Sequence, residues 1–404
     1  MRNKSLDLEK IAMNLDISPS MYQYAVDRYT GIAKYLESKG IQAEFYPQGS
    51  FRTGTVTRPM KDGVECDFDI DVVCVLIYDK KQYSAKQVKA IVGDALKADE
   101  TYRKKLEPEE DRCWTLKYAD LSDTVGLKLD VVPAVKEDIN QIVRLLTASV
   151  DSKYAMQAIA ITDRKEGRYN WLSSNPSGFG DWFDDINKKY LEMDIIEKKK
   201  QFFTENRGLF RADAKIEDVP DYYVRSSLQR VIQLLKRHRD LFFYRNGSKY
   251  RPASVIITSL AAKIAAEITP RNIEELLQYV VNGLGDYRVL LEGKRPEARY
   301  YGEKREYVQI RNSKWWIPNP VDPDDNYADS WTDETAQAFF DWVDVVKMDL
   351  GDTTSLNETR YLTGLQTSFG KEKVNSVLHL ASVQPVTYSR PSTISRPTKP
   401  WGDK

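Results

Sequence analysis

Apolar residues recur at helical spacing over residues 20–39, at Met21, Tyr24, Ala25, Tyr29, Ile32, Ala33 and Leu36, and Gly40 follows as a C′ residue. Ile41 to Tyr46 reads as a short strand ended by Pro47. The clearest strand is Cys66 to Ile77, where Asp67-Phe68-Asp69-Ile70-Asp71 alternates at period two before becoming a near-continuous apolar run. Such a run is the pattern of a central strand covered on both faces. The spacing predicts a helix over 84–106, through Val88, Ile91, Val92, Ala95 and Leu96. Two further strands follow, Trp114 to Tyr118 and Gly126 to Pro133, about a turn at Asp120 to Asp123. In the second of these, Lys128 and Asp130 share one face, with Leu127, Leu129 and Val131 on the other.

From about residue 180 the period becomes helical. Tyr222 to Phe243 carries an amphipathic stripe of Val224, Leu228, Val231, Ile232, Leu235 and Phe242. Helices are also expected over Ala253 to Ile268, Ile273 to Asn282 and Asp333 to Leu350, with Gly283 and Gly351 just past the last two as C′ residues. Pro318 to Asp325 reads as an ordered loop. The proline-, serine- and threonine-containing tail from Ser382 reads as a flexible segment, extended or disordered. The expected division is a core lobe over 1–165, a helical lobe over 166–381 and a tail over 382–404. No internal repeat is present.

Composition narrows the function classes. A chain of 404 residues can bury the core of two lobes. Its 60 basic residues balance its 60 acidic ones, so no bulk charge footprint for long nucleic acid exists. No run of 18 apolar residues occurs, and the charged N-terminus does not resemble a secretory signal, so a cytoplasmic protein without a membrane span is expected. The three cysteines, Cys66, Cys74 and Cys113, show no metal-ligand spacing and no disulfide framework.

The chemistry lies in the carboxylates. Asp69 and Asp71 project from one face of their strand, and like charges there repel unless something neutralises them. Hard carboxylate oxygens suit Mg²⁺. If the later strand lies alongside, Asp130 joins them, and three carboxylates then fit a site for two-metal phosphoryl transfer. The plain alternative, solvated carboxylates at strand ends, serves for any one aspartate. It serves less well for three of them set in apolar runs. Upstream, Gly49-Ser50 offers a backbone able to approach a phosphate and a hydroxyl donor, with a helical turn expected from Phe51. By itself that dipeptide is an ordinary turn. Arg58 is a weaker candidate to face phosphate. His238 lies in a basic helical segment with no nucleophile partner and reads as a surface residue without a role.

Gln48-Gly49-Ser50, Asp69-Ile70-Asp71 and Asp130 together resemble the DNA-polymerase-β-like nucleotidyltransferases. The segments Arg168 to Pro176, Asp181-Trp182-Phe183, Leu234 to Asp240, Pro252 to Ile256 and Asn319 to Trp331 make the chain similar to one branch of them. That branch is the bacterial cGAS/DncV-like nucleotidyltransferases (CD-NTases) of CBASS anti-phage systems. The resemblance spans roughly residues 20–350.

It implies an α/β (α+β) fold: a polymerase-β-like lobe with a mixed sheet and a long N-terminal helix, a helical C-terminal lobe, and an active site in the cleft. It implies two Mg²⁺ ions, with Mn²⁺ as an alternative, on Asp69, Asp71 and Asp130, the last also helping to deprotonate a ribose hydroxyl. Gln48, Gly49 and Ser50 would hold the donor triphosphate. Lys236 would touch that triphosphate, as would Ser254 at the next helix start. For these two the residues alone also allow a solvated helix lysine and an N-cap serine. The implied activity is template-independent synthesis of a cyclic di- or trinucleotide messenger from NTPs such as ATP and GTP, served by CBASS accessory proteins. The alternatives are a transferase acting on an RNA end or a protein, and a non-catalytic nucleotide-sensing module.

Overall fold

A computed structural model describes residues 2–380 apart from 62–63, 123–124, 194, 212–213, 220–222, 248, 271, 297–305 and 352–356. The tail expected over 382–404 lies outside the described residues.

The sheet lobe is built on α2 (Pro19–Ser38), β1 (Ala43–Pro47), a one-turn α3 (Gly49–Arg52), β2 (Phe68–Leu76), α4 (Ala85–Ala98), β3 (Trp114–Ser122), β4 (Val125–Lys136), α5 (Ile139–Thr147), β5 (Ile159–Lys165) and β6 (Arg168–Ser174). Local signals set the helix ends. Ser18 caps α2 by accepting from the Met21 N–H at 3.2 Å, and Pro19 occupies its first turn. Gly40 follows its end at φ +77°, as expected of a C′ glycine. Ser84 and Gln87 form a capping box on α4. The helix expected to run on to 106 instead breaks at Asp99, whose carboxylate caps a new short turn by accepting from the Thr101 N–H at 2.8 Å.

Strand order is β1-β2-β4-β5-β6, with β3 paired to the first half of β4. β2 and β4 run parallel and the other neighbours antiparallel, so the sheet is mixed. β3 and β4 reach Ser122 and Val125, which leaves no room for the four-residue turn expected at Asp120 to Asp123. Alternation along β2 sends Phe68, Ile70, Val72, Cys74 and Leu76 into a core shared with α2 and α4. Val73 and Val75 enter a second core on the opposite face, with Val132, Ala134 and Ile159. Asp69 and Asp71 continue the parity of Val73 and Val75 beyond the point where that second core ends. The sheet itself continues past residue 165 through β6.

The helical lobe comprises α1 (Lys4–Met13), α6 (Pro176–Glu192), α7 (Ser227–Arg245), α8 (Ser254–Ala265), α9 (Ile273–Gly285), α10 (Asp333–Val346) and α11 (Glu358–Phe369). α1 is at the far end of the sequence, yet Leu8, Ile11, Ala12 and Leu15 are buried in this lobe's core. Gly283 lies inside α9 rather than past its end. A Cβ there would stand 2.7 Å from Ile264 Cγ2, so the glycine serves the close packing of α9 on α8. His238 is buried, not a surface residue: Trp342 Nε1 donates to its Nδ1 at 3.1 Å, and its Nε2 lies 3.3 Å from Asp349 Oδ2. Two polar partners inside an apolar lobe explain its burial.

Candidate active site

The site begins where β1 ends. The Gln48 N–H donates to the Asp71 carbonyl at 2.9 Å, so the chain leaves the sheet directly beside that aspartate. Gly49 then takes φ +61°, and a Cβ there would stand 3.5 Å from Asp71 Oδ2. Glycine meets the left-handed conformation without the penalty a side chain would carry. The helical turn opens at Gly49, two residues before the expected Phe51, and closes when the Thr53 N–H donates to the Gly49 carbonyl at 3.1 Å.

Parallel pairing of β2 with β4 places Asp71 opposite Asp130 and Asp69 opposite Lys128. Neighbouring strands are about 4.8 Å apart, so the three carboxylates form a short row on one face. β3 adds Thr115 opposite Asp130, and the Thr115 hydroxyl donates to Asp130 Oδ1 at 2.5 Å. Burial pushes the Asp71 carboxyl up to about 6, and the charges of Asp130 and Asp69 push the same way. Asp69 is also raised by loss of water, with Lys128 opposing the rise and Asp130 and Asp67 adding to it.

The donor set fits divalent cations: hard oxygens, mutual repulsion that a cation relieves, and no cysteine or histidine among them. Among the described residues no three acidic, histidine or cysteine groups stand close enough together to hold a metal ion by themselves. An open row suits an ion that completes its shell with water and phosphate oxygens.

The remaining expected residues are placed as follows. Lys236, on α7, is 4% exposed, and its ammonium donates to both the carbonyl and the hydroxyl of Thr55, each at 3.1 Å. Burial lowers its pKa to about 7, helped by Arg239 and opposed by Asp240. It therefore meets the loop that follows Ser50 and is not a solvated helix lysine. Ser254 is the first residue of α8, whose N-cap is Ala253, and its hydroxyl accepts from Arg239 Nη1 at 3.0 Å. The Arg58 Nε donates to the Asp16 carbonyl at 2.7 Å.

Several residues that matter here carried no obvious signal in the chain. Gln229 Nε2 donates to the Thr53 carbonyl at 2.9 Å, and Gln233 Nε2 to the Val56 carbonyl at 2.7 Å. Arg237 donates to the Arg58 carbonyl. With Lys236, these side chains satisfy the carbonyls of residues 53, 55, 56 and 58, which an open loop would leave to water. The positions 229, 233, 236 and 237 repeat at helical spacing as a polar face beside the apolar stripe, and that spacing is their signal in the chain. Arg52 ties α3 to α6 through Asp181 at 2.6 Å and Asp184 at 2.7 Å.

Residues 43–130, from the start of β1 to Asp130, match the model of the cyclic GMP-AMP synthase DncV-like nucleotidyltransferase domain. A c-di-GMP synthase of Roseivirga ehrenbergii is 30% identical over 332 residues, which cover 81% of this chain and 73% of that protein. The chain belongs to the DncV-like nucleotidyltransferases, the CD-NTases. A second CD-NTase relative, the cyclic dinucleotide synthase CdnG of Bradyrhizobium diazoefficiens, is 25% identical over 342 residues, 82% of this chain and 70% of that one. The solved structure of the Bradyrhizobium CdnG in complex with GTP superposes with a TM-score of 0.65 at 20% identity, covering 93% of this chain and 98% of that one. The fold is thus that of the CD-NTases, a mixed sheet with a helical lobe, and the chain is a nucleotidyltransferase. No helix among the described residues is long and apolar enough to cross a membrane.

Proposed function

We propose that this protein joins nucleoside triphosphates without a template into a cyclic di- or trinucleotide messenger, as part of an anti-phage CBASS response in the cytoplasm. The observation that carries the reading is the row of Asp69, Asp71 and Asp130 beside Gly49, with Asp71 and Asp130 directly paired across two parallel strands. The relatives named c-di-GMP synthase and CdnG, and the GTP in the CdnG structure, favour GTP as a substrate and a cyclic dinucleotide as product.

Asp69, Asp71 and Asp130 would hold two Mg²⁺ ions, or Mn²⁺. When bound, these supply the positive charge that gathers the triphosphate and lowers the pKa of the attacking ribose hydroxyl. The chain's own residues do the rest. Gln48, Gly49 and Ser50 present backbone and hydroxyl to the donor triphosphate. Thr115 holds one oxygen of Asp130 at 2.5 Å, which orients that carboxylate for its task of accepting the hydroxyl proton. Lys236 and Ser254 contribute through their contacts with Thr55 and Arg239. The balanced charge of the chain argues against a long nucleic-acid substrate. CBASS accessory proteins are the expected macromolecular partners.

Incubating the purified protein with labelled GTP, ATP or both and Mg²⁺, followed by mass spectrometry, tests this. The expected product is a small, phosphatase-resistant cyclic nucleotide with release of pyrophosphate. Label recovered on RNA or protein instead would favour the transferase alternative. A protein that binds GTP and turns over nothing would favour the sensing module.

A further inference from the structure

The contact between Lys236 and Thr55 continues toward the Gly-Ser turn. Thr55 Oγ1 lies 2.9 Å from Thr53 Oγ1, and the Thr53 hydroxyl donates to the Gly49 carbonyl at 3.2 Å. Thr53, Thr55 and Lys236 are 2%, 0% and 4% exposed, so water does not compete for these bonds. The carbonyl end of the chain sets its direction. A carbonyl only accepts, so the one hydrogen of Thr53 is spent on Gly49 and each hydroxyl behind it must donate forward, whether Lys236 is charged or neutral. Thr55 Oγ1, having accepted from Lys236, passes its one hydrogen to Thr53, and Thr53 passes its own to Gly49.

No cis peptide occurs in the described chain. In a trans peptide the carbonyl and the N–H of the next residue point to opposite sides. The Gly49 carbonyl is held toward Thr53 by the Thr53 N–H at 3.1 Å and, at the end of the relay, by its hydroxyl, and this turns the Ser50 N–H away from the relay. Gly49 itself is the residue that abuts Asp71. A threonine hydroxyl bonding back to a carbonyl four residues earlier is common in helices and by itself means little. Here the same hydroxyl is also reached by a second buried threonine and, through it, by a lysine from the other lobe.

We infer that Thr53 and Thr55, driven by Lys236, are positioning residues that fix the Gly49–Ser50 peptide so that its N–H is set to receive the donor nucleotide's phosphates. This rests on the reading of Gly49-Ser50 as the triphosphate turn. Thr55→Val removes the central hydroxyl with little change of shape, and Thr55→Ser keeps it.

Two measurements on the full-length protein separate the possibilities: hydrogen exchange over residues 48–56 without nucleotide, and calorimetric binding of an α,β-methylene GTP analogue with Mg²⁺. The expected result for Thr55→Val is about tenfold faster exchange in that segment and about tenfold weaker binding, as for one lost hydrogen bond, with Thr55→Ser within about twofold of wild type. In turnover the loss should fall on KM for the nucleotide more than on kcat. Unchanged exchange and binding in Thr55→Val, or a serine variant that fails to restore them, overturns the inference. A lowered Tm with binding intact shows a merely structural threonine and overturns it too. Exchange that responds in a protein whose wild type binds no analogue supports the relay and overturns the nucleotide reading. If Thr55→Val misfolds, Thr53→Val breaks only the last link and is read in the same way.

Discussion

Removing the charge of Asp71 should stabilise the metal-free protein while ending its activity. In the fold, burial and two neighbouring carboxylates raise the Asp71 carboxyl from the ordinary 3.8 to about 6. A carboxyl whose native pKa is raised contributes stability when protonated. That contribution is complete below about 3.8 and is lost as pH climbs through about 6. Each tenfold change in proton affinity is worth about 1.4 kcal/mol, so the loss has a ceiling of about 3 kcal/mol. Asp71→Asn has nearly the same shape and carries no charge. In EDTA at pH 7.5 it should therefore be about 1–3 kcal/mol more stable than wild type, a Tm higher by a few degrees for a chain of this size. The difference between the two should shrink toward zero near pH 4. With millimolar Mg²⁺ the wild type should recover, because an ion bound only to the native state adds its binding free energy. Scanning calorimetry from pH 4 to 8, in EDTA and in Mg²⁺, measures all of this. A variant that melts at or below wild type throughout the EDTA series would refute the claim that the carboxylates strain the fold.

Asp69→Asn and Asp130→Asn should each lower product formation at saturating Mg²⁺ by about 10³-fold or more, with Tm unchanged or raised, as checked by chromatography of the reaction and thermal melting. Thr115→Val should lower kcat about tenfold with little effect on nucleotide KM, and Thr115→Ser should restore it, because the lost bond orients Asp130 and touches no substrate. Gly93→Ala should cost about 2–4 kcal/mol in urea unfolding. A Cβ there would stand 2.1 Å from Trp114 Cζ2 in the seam between α4 and β3, a buried contact with little room to relax.

Much of this protein is written in the order of its residues. Period two across residues 67–71 settles that Asp69 and Asp71 share a face, because side chains alternate along any strand. Gly40 marks the end of its helix by its own backbone freedom, and the Ser18 and Ser84 caps that the structure adds act through bonds that span only three residues. Local chemistry of this kind needs no tertiary information. The break at Asp99 and the early turn at Gly49 were legible in principle, since an aspartate can cap and a glycine can adopt positive φ, but nothing local ranks the first above a continuing helix or the second above a turn that opens at Phe51.

What only the tertiary structure decides is who stands beside whom. Parallel pairing of β2 with β4 puts Asp130 opposite Asp71 across nearly sixty residues of chain, and no period reports a register between distant strands. The burial of Lys236 and His238 follows from the packing of whole helices, for which a basic run such as Lys236-Arg237-His238-Arg239 gives the opposite hint. Gly283 looks like a helix end by composition and proves to be a contact surface for Ile264. The carboxylates were visible as a chemical oddity of one strand. Their row, and the buried lysine and threonines that reach the turn beside it, exist only because burial and strand pairing bring remote segments together.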